Sequence, residues 1–331
     1  MKHEAGHRQF SRQFRAMGTD VSLFLWNTNE QRAHSAFDGI ERFFIQTEHR
    51  LSRFLPGSEL SHLNRSAGQP FAASRVLFGL VSLALEWRRR TNGIFDPSVL
   101  NALVASGYDR PFDALRATAT SDGAIALPAP AERTHASASA DDIVLGPDRL
   151  IILPAGLGID LGGIAKGWAI QQAAHRLGMW GSCLVNAGGD IACVGAPPEG
   201  AWVVTVADPL AEERDIAVLS LRNDAVATST RTYRRWTQGG RPAHHLIDPR
   251  TGSAANTTVV SATVQGLALP DVEIHAKTAL ILGEVDGLAY LDAIPNISAI
   301  LVTEDGRQLR SGMMEKKTYA PIDAFSEQFR A

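Results

Sequence analysis

The sequence predicts an α+β fold with largely antiparallel sheets and packed helices, arranged as two tightly joined lobes. Three observations carry that expectation. Strand-like runs cluster at 183–195, 202–207, 216–221, 225–229, 259–265 and 297–303 without the regular strand–helix alternation of a parallel sheet. Apolar residues recur at helical spacing in 33–51 and 76–84. Chemically capable residues are scattered from position 17 to position 277, which argues for one unit over 15–315 rather than separable domains. Residues 1–14 and 316–331 are expected to be peripheral.

The elements follow in order. MGTDVSLFLW at 17–26 is β-branched and aromatic enough for a strand, and Asn27 to Glu30 breaks it. Ala33, Phe37, Ile40, Phe44 and Leu51 then share one stripe of a helix that fades before Pro56. FLPGSELSHLN opens with turn residues. Val76, Leu77, Leu80, Val81 and Ala84 form a second stripe, closed by Arg88 to Arg90 near the negative end of the dipole and by Gly93. Residues 116–147 are rich in Ala, Ser, Asp and Pro and predict turns and short strands near the surface. GIDLGG at 158–163 leads into a helix that stops at Gly178. CLVNAGGDIACVG reads as a strand with a bend or bulge at Gly188-Gly189. A last helix spans about Asp271 to Leu282, with Gly283 as its cap.

Composition bounds the function. The chain has 331 residues, 45% hydrophobic and 20% charged, with 32 Lys plus Arg against 35 Asp plus Glu. A formal charge of -3 gives no electrostatic reason to expect nucleic acid or an anionic membrane as a bulk partner. Two cysteines, Cys183 and Cys193, are too few for a disulfide framework or a four-cysteine zinc site, and both read as core residues. The N-terminus lacks the apolar run of a secretory signal, and no window is apolar enough to span a bilayer, so the expected compartment is the cytoplasm.

Four constellations could carry chemistry. GIDLGGIAKGWA places adjacent glycines and Lys166 at a helix entrance, where backbone N–H groups and an ammonium favour an anion. A tight loop with a surface lysine is the other reading. RPAHHLIDPRTG offers His244 and His245, of which only one can face a given cleft from a strand. Solvated histidines in a polar turn are the alternative. The upstream Arg231, Arg234, Arg235 and Arg241 could bind phosphate or simply form a solvated face. TNGIFDPSVL presents Asp96 as a ligand contact or as an ordinary Asp-Pro turn, and Glu273 with Lys277, four apart on a helix, makes at least a surface ion pair.

Together and in order, these segments resemble one family. MGT at 17–19, LSRFLPGSELSHLN at 51–64, TNGIFDP at 91–97, DLGGIAKGWA at 160–169, LVNAGGDI at 184–191, HHLIDPRTG at 244–252 and the 273–283 helix are collinear with the FAD:protein FMN transferase (ApbE) family. The resemblance implies Mg²⁺-dependent cleavage of FAD. FMN passes to a Ser or Thr hydroxyl of an acceptor protein, within a motif ending in Gly-Ala-Thr, and AMP is released. FAD binding without transfer, or hydrolysis of FAD to FMN and AMP, are the alternatives.

The resemblance also assigns residues. Met17, Phe54, Ile94, Phe95, Asp96, Asp160, Lys166 and Ile247 match FAD contacts, with Phe54 and Phe95 expected to wall the flavin ring, and His245 matches the base. Gly163, Glu273 and Ala276 match the magnesium site, but Lys277 stands where the family usually has a ligating threonine. An ammonium has no lone pair for a metal. Lys277 is therefore expected at the vacated ion position, held by Glu273 and neutralising part of the diphosphate.

Overall fold

In the computed structural model, residues 7–119, 124–127, 138–198 and 200–312 are described. Eight strands form one sheet in the order Arg8–Ala16, Thr19–Asn27, Cys183–Ala187, Asp190–Val194, Ala225–Thr230, Val259–Gly266, Ser298–Thr303 and Gln308–Gly312. Every neighbouring pair is antiparallel. Side-chain alternation explains why both faces are covered. Leu23 and Leu25 point to one face, where they join a core with the helices Glu30–Leu51, Ala165–Gly178 and Leu269–Leu282. Phe24, between them, points to the other face and packs with Trp202, Val204 and Leu219 of the hairpin Trp202–Asp208/Ala211–Leu221.

The second lobe is a separate apolar cluster built from the helices Glu59–Arg65 and Arg75–Arg90 and a small sheet of Pro70–Ala72, Leu150–Ile152 and Val144–Leu145. Two features bind it to the first. Met17 and Trp168 pack against both clusters. The Leu269–Leu282 helix gives Val272, Ala276 and Leu280 to the first core and Ile274 to the second. Eleven of its fourteen residues are buried, so it is a central helix with neighbours on all sides, not an amphipathic surface one.

The expected stripe on the Glu30–Leu51 helix is buried at every position. Asn29 caps that helix, its side chain accepting from Arg32 N at 2.9 Å, and Ser52 ends it in extended conformation before Pro56. Fully buried Phe37 and Phe44 anchor it to the sheet, and truncating either to alanine would cost about 3–5 kcal/mol. Cys183 and Cys193 are buried and unpaired, and burial pushes both thiols up to about 12, which makes them inert core residues.

Two expectations change. Residues 8–14 are not peripheral: they belong to the first edge strand, which pairs with Thr19–Asn27 and buries Phe10 in the main core. Gly188-Gly189 is not a bend within one strand but the two-residue turn of a hairpin, Ala187 pairing with Asp190. Both glycines have positive φ (63° and 91°), as the tight primed turn of a twisted hairpin requires. After the turn residues that open FLPGSELSHLN, residues 59–65 form a helix, which Ser58 caps by accepting from Ser61 N at 3.0 Å. Within 116–147, the described parts include the short strands Ala126–Leu127 and Val144–Leu145 and a helical turn at Ala140–Asp142. Residues 120–123, 128–137 and the 316–331 tail lie outside the described residues.

Candidate active site

Two adjoining cavities open where the lobes meet, one of about 270 Å³ and one of about 80 Å³. Leu103, Asp160, Gly162 and His245 line both. The expected flavin contacts divide between them. Met17, Phe54, Asp160 and Lys166 line the larger chamber; Ile94, Phe95, Asp96, Asp160 and Ile247 line the smaller, together with Gly163 and Lys277. Glu273 and Ala276 line neither.

His245 sits at the shared wall. It follows the strand Arg241–His244, which pairs with Arg235–Gln238, and its N–H donates to the Arg234 carbonyl at 3.3 Å. Alternation turns its neighbour away: His244 is buried, its Nε2 lies 3.1 Å from the Ala255 carbonyl, and its Nδ1 accepts from Leu246 N at 3.3 Å. His245 Nδ1 is buried with no hydrogen-bond partner among the described residues. Burial holds the His245 imidazole well below 6.5. The charges of Arg234, His244 and Lys277 push the same way, against a backbone hydrogen bond at Arg234. A neutral imidazole with an unspent ring nitrogen can accept a proton at neutral pH.

The larger chamber is aromatic. Phe54 packs against Tyr108 with centroids 5.6 Å apart, and the Arg53 guanidinium lies 4.1 Å from the centre of the Phe54 ring. Phe95 is buried in the second lobe and borders only the smaller chamber, so it does not share a chamber with Phe54, whereas Tyr108 does. Met17 adopts φ 52°, and its N–H donates to Glu48 Oε2 at 2.9 Å, so a helix carboxylate pins the turn at the chamber's edge.

The carboxylates expected to meet ligand are largely committed within the protein. Asp96 Oδ1 accepts from Ser98 N and Oγ at 2.7 and 2.6 Å, and Oδ2 from Arg88 Nε at 2.8 Å. It caps a turn and anchors a helix rather than presenting a free carboxylate. Asp160 pairs with Arg53 Nε at 2.8 Å and accepts from Gly162 N at 2.8 Å. Lys166 is ion-paired with Asp190, whose other oxygen accepts from Thr228 N at 3.0 Å. Burial lowers the Lys166 ammonium to about 8; Glu273 opposes this, while Arg234 and Lys277 add to it.

The residues do not fit the magnesium cage that the resemblance implies. Glu273 Oε2 accepts from Gly167 N at 3.0 Å, and its Oε1 lies 3.9 Å from Lys166 Nζ. It caps the entering helix, so that N–H is met from within the protein and not left for an anion. The Gly163 carbonyl accepts from Lys277 Nζ at 3.0 Å. Ala276 is fully buried inside its helix, its carbonyl part of the ladder. Among the described residues no three His, Cys, Asp or Glu side chains converge. Against the expectation from sequence, Gly163 rather than Glu273 holds Lys277, and Glu273 acts on it only from beyond ion-pairing distance. Two glycines make this packing possible, since a Cβ at Gly163 would collide with Lys277 Nζ and one at Gly167 with Glu273 Oε2.

Sequence reasoning missed Arg53, Tyr108, Glu48 and Asp190. Arg53 and Asp190 lie inside the quoted segments LSRFLPG and LVNAGGDI, so attention to their charges would have found them. Tyr108 and Glu48 carry no local signal.

An antiparallel α+β scaffold with a cleft of this make-up defines a known class: it superposes on the ApbE protein from Thermotoga maritima with TM-score 0.79, at 21% identity over 93% of this chain and 99% of that one. It also superposes on the flavin transferase ApbE from Vibrio cholerae with TM-score 0.74, at 22% identity over 94% and 99%. A sequence model of the ApbE family matches residues 17–301, and the chain belongs to that family. Its similarity to the FAD:protein FMN transferase of Treponema pallidum is 29% identity over 91% of this chain and 86% of the relative. The Vibrio cholerae transferase is 28% identical over 81% and 79%. Among the described residues no helix is long and apolar enough to cross a membrane.

Proposed function

We propose that this chain is an FAD:protein FMN transferase that moves FMN from FAD to a Ser or Thr hydroxyl of an acceptor protein. The observation that carries the reading is His245: a neutral imidazole with an unpartnered Nδ1, at the wall shared by an aromatic and a cationic chamber. The names of the relatives from Treponema pallidum and Vibrio cholerae support it.

The chemistry follows from the placement. FAD lies with its ring against Phe54 and Tyr108 and its diphosphate toward His245. The acceptor hydroxyl oxygen attacks the phosphorus on the FMN side, forming one P–O bond as the bond to the bridging oxygen breaks. The bridging oxygen leaves with AMP and the electron pair; the hydroxyl proton passes to His245. Developing negative charge is met by the nearby ammonium and guanidinium groups. Because Gly163 and Glu273 are committed within the protein, no step is assigned to a metal ion.

The test is incubation with FAD, with and without a peptide bearing a Gly-Ala-Thr acceptor. Fluorescent peptide and AMP in equal amounts are expected. Intact bound FAD would mark a binding protein, and FMN released without peptide a pyrophosphatase; either result overturns the transferase reading.

A further inference from the structure

The basic side chains of the cleft fall into two groups. Arg53 is paired with Asp160 and Lys166 with Asp190. Lys277 and Arg234 have no carboxylate within ion-pairing distance among the described residues. Lys277 spends one proton on the Gly163 carbonyl and lies 5.9 Å from the Phe95 ring centre. Arg234 lines the larger chamber together with Tyr108. One lines the smaller chamber and the other the larger, and His245 lies on the wall between. Each charge disfavours a proton on His245, so both act across the same space. Glu273 and Asp160 attract the Lys277 ammonium only from beyond ion-pairing distance, and two half-buried cations facing one cleft without a paired carboxylate among the described residues favour an anion with more than one charge between them.

We infer that Lys277 and Arg234 grip the diphosphate of the dinucleotide from opposite sides of His245, and that FAD binding needs no divalent cation. This rests on the transferase reading and adds to it the group that neutralises the phosphates. The lysine fits because its ammonium sits on the same carbonyl that a cation would otherwise use.

The test is equilibrium titration of the full chain by flavin fluorescence, with FAD and with riboflavin, which lacks phosphate, each in EDTA and in excess MgCl₂. Wild type is expected to bind FAD within about twofold equally in both buffers. Lys277→Met and Arg234→Gln should each weaken FAD at least about tenfold, the usual size of a lost charge-assisted contact, and leave riboflavin within about twofold. Riboflavin binding and a thermal melt report the fold of each variant. Should Lys277→Met not fold, half-exposed Arg234→Gln decides alone. FAD binding by wild type only with Mg²⁺, or undiminished FAD binding by the folded variants, overturns the inference and leaves the transferase reading standing. If neither flavin binds in any buffer, both fall.

Discussion

The two chambers differ in how their polar groups are spent. Around the larger one, Arg53 is bound to Asp160, Lys166 to Asp190 and the Met17 N–H to Glu48, so apart from Arg234 the protein satisfies itself and the chamber offers mainly shape and aromatic surface. Around the smaller one, among the described residues, Lys277 has no carboxylate within ion-pairing distance and the imidazole at its wall keeps a buried nitrogen unpaired. Buried polar groups are rarely left so. The difference teaches that pairing state, more than residue type, separates side chains that shape this site from those left for a ligand.

The sharpest way to break that comparison is His245→Ala. Loss of a general base should slow FMN transfer by roughly 10²–10⁴-fold while FAD affinity stays within about threefold, measured by acceptor fluorescence and flavin titration. His244→Ala should do the opposite, lowering stability with little effect on transfer, because His244 is hydrogen-bonded at both nitrogens. Reversal of the two phenotypes would mean the strand faces the other way.

His275 extends the same contrast away from the cleft. It is buried against Trp87 and bonded through Nδ1 to the Tyr290 hydroxyl at 2.7 Å, and burial, with Arg90, lowers it to about 4. A histidine depressed in the folded state makes the unfolded chain bind more protons between its two pKa values. Stability from it is full above 6.5 and is lost as pH falls toward 4, an effect of roughly 3 kcal/mol. Denaturant melts across that window should show the loss. His275→Gln should shrink the slope without removing it, since His244 and His245 are depressed in the same direction.

Asp96→Ala belongs with the paired groups although it borders the smaller chamber. It should cost about 1–3 kcal/mol of stability by leaving the Ser98 N–H unmet and Arg88 with only its exposed Asp141 partner, read by urea melts, with a smaller change in FAD affinity once the fold is held. Phe54→Ala should have the mildest effect, weakening FAD and riboflavin alike by about 0.5–1.5 kcal/mol of stacking. A loss confined to FAD would place the adenine, not the flavin ring, on Phe54.

Much of the scaffold was legible because it is written locally. The stripe from Ala33 to Leu51, the run before Gly283 and the strands from 202 to 303 all appear where periodicity and caps placed them. The strand over residues 8–14 escaped the sequence because Phe10 is buried only once the sheet assembles, and the Gly188-Gly189 turn because one bent strand and a tight hairpin share the same local pattern. The site divides the same way. Alternation left room for only one histidine of two at a cleft and the family resemblance chose His245, while motif order brought Lys166, Asp160 and Lys277 to one cleft. Which of their charges are cancelled could not be read, because Asp190, Arg53 and Gly163 reach them from elements far apart in the chain.

A crystal structure with FAD bound tests the central claim most directly. The account predicts the diphosphate beside His245, within hydrogen-bond reach of Lys277 and Arg234, and the isoalloxazine ring in the Phe54–Tyr108 chamber. A dinucleotide seated outside these two chambers, or with its phosphates turned away from His245, would contradict it.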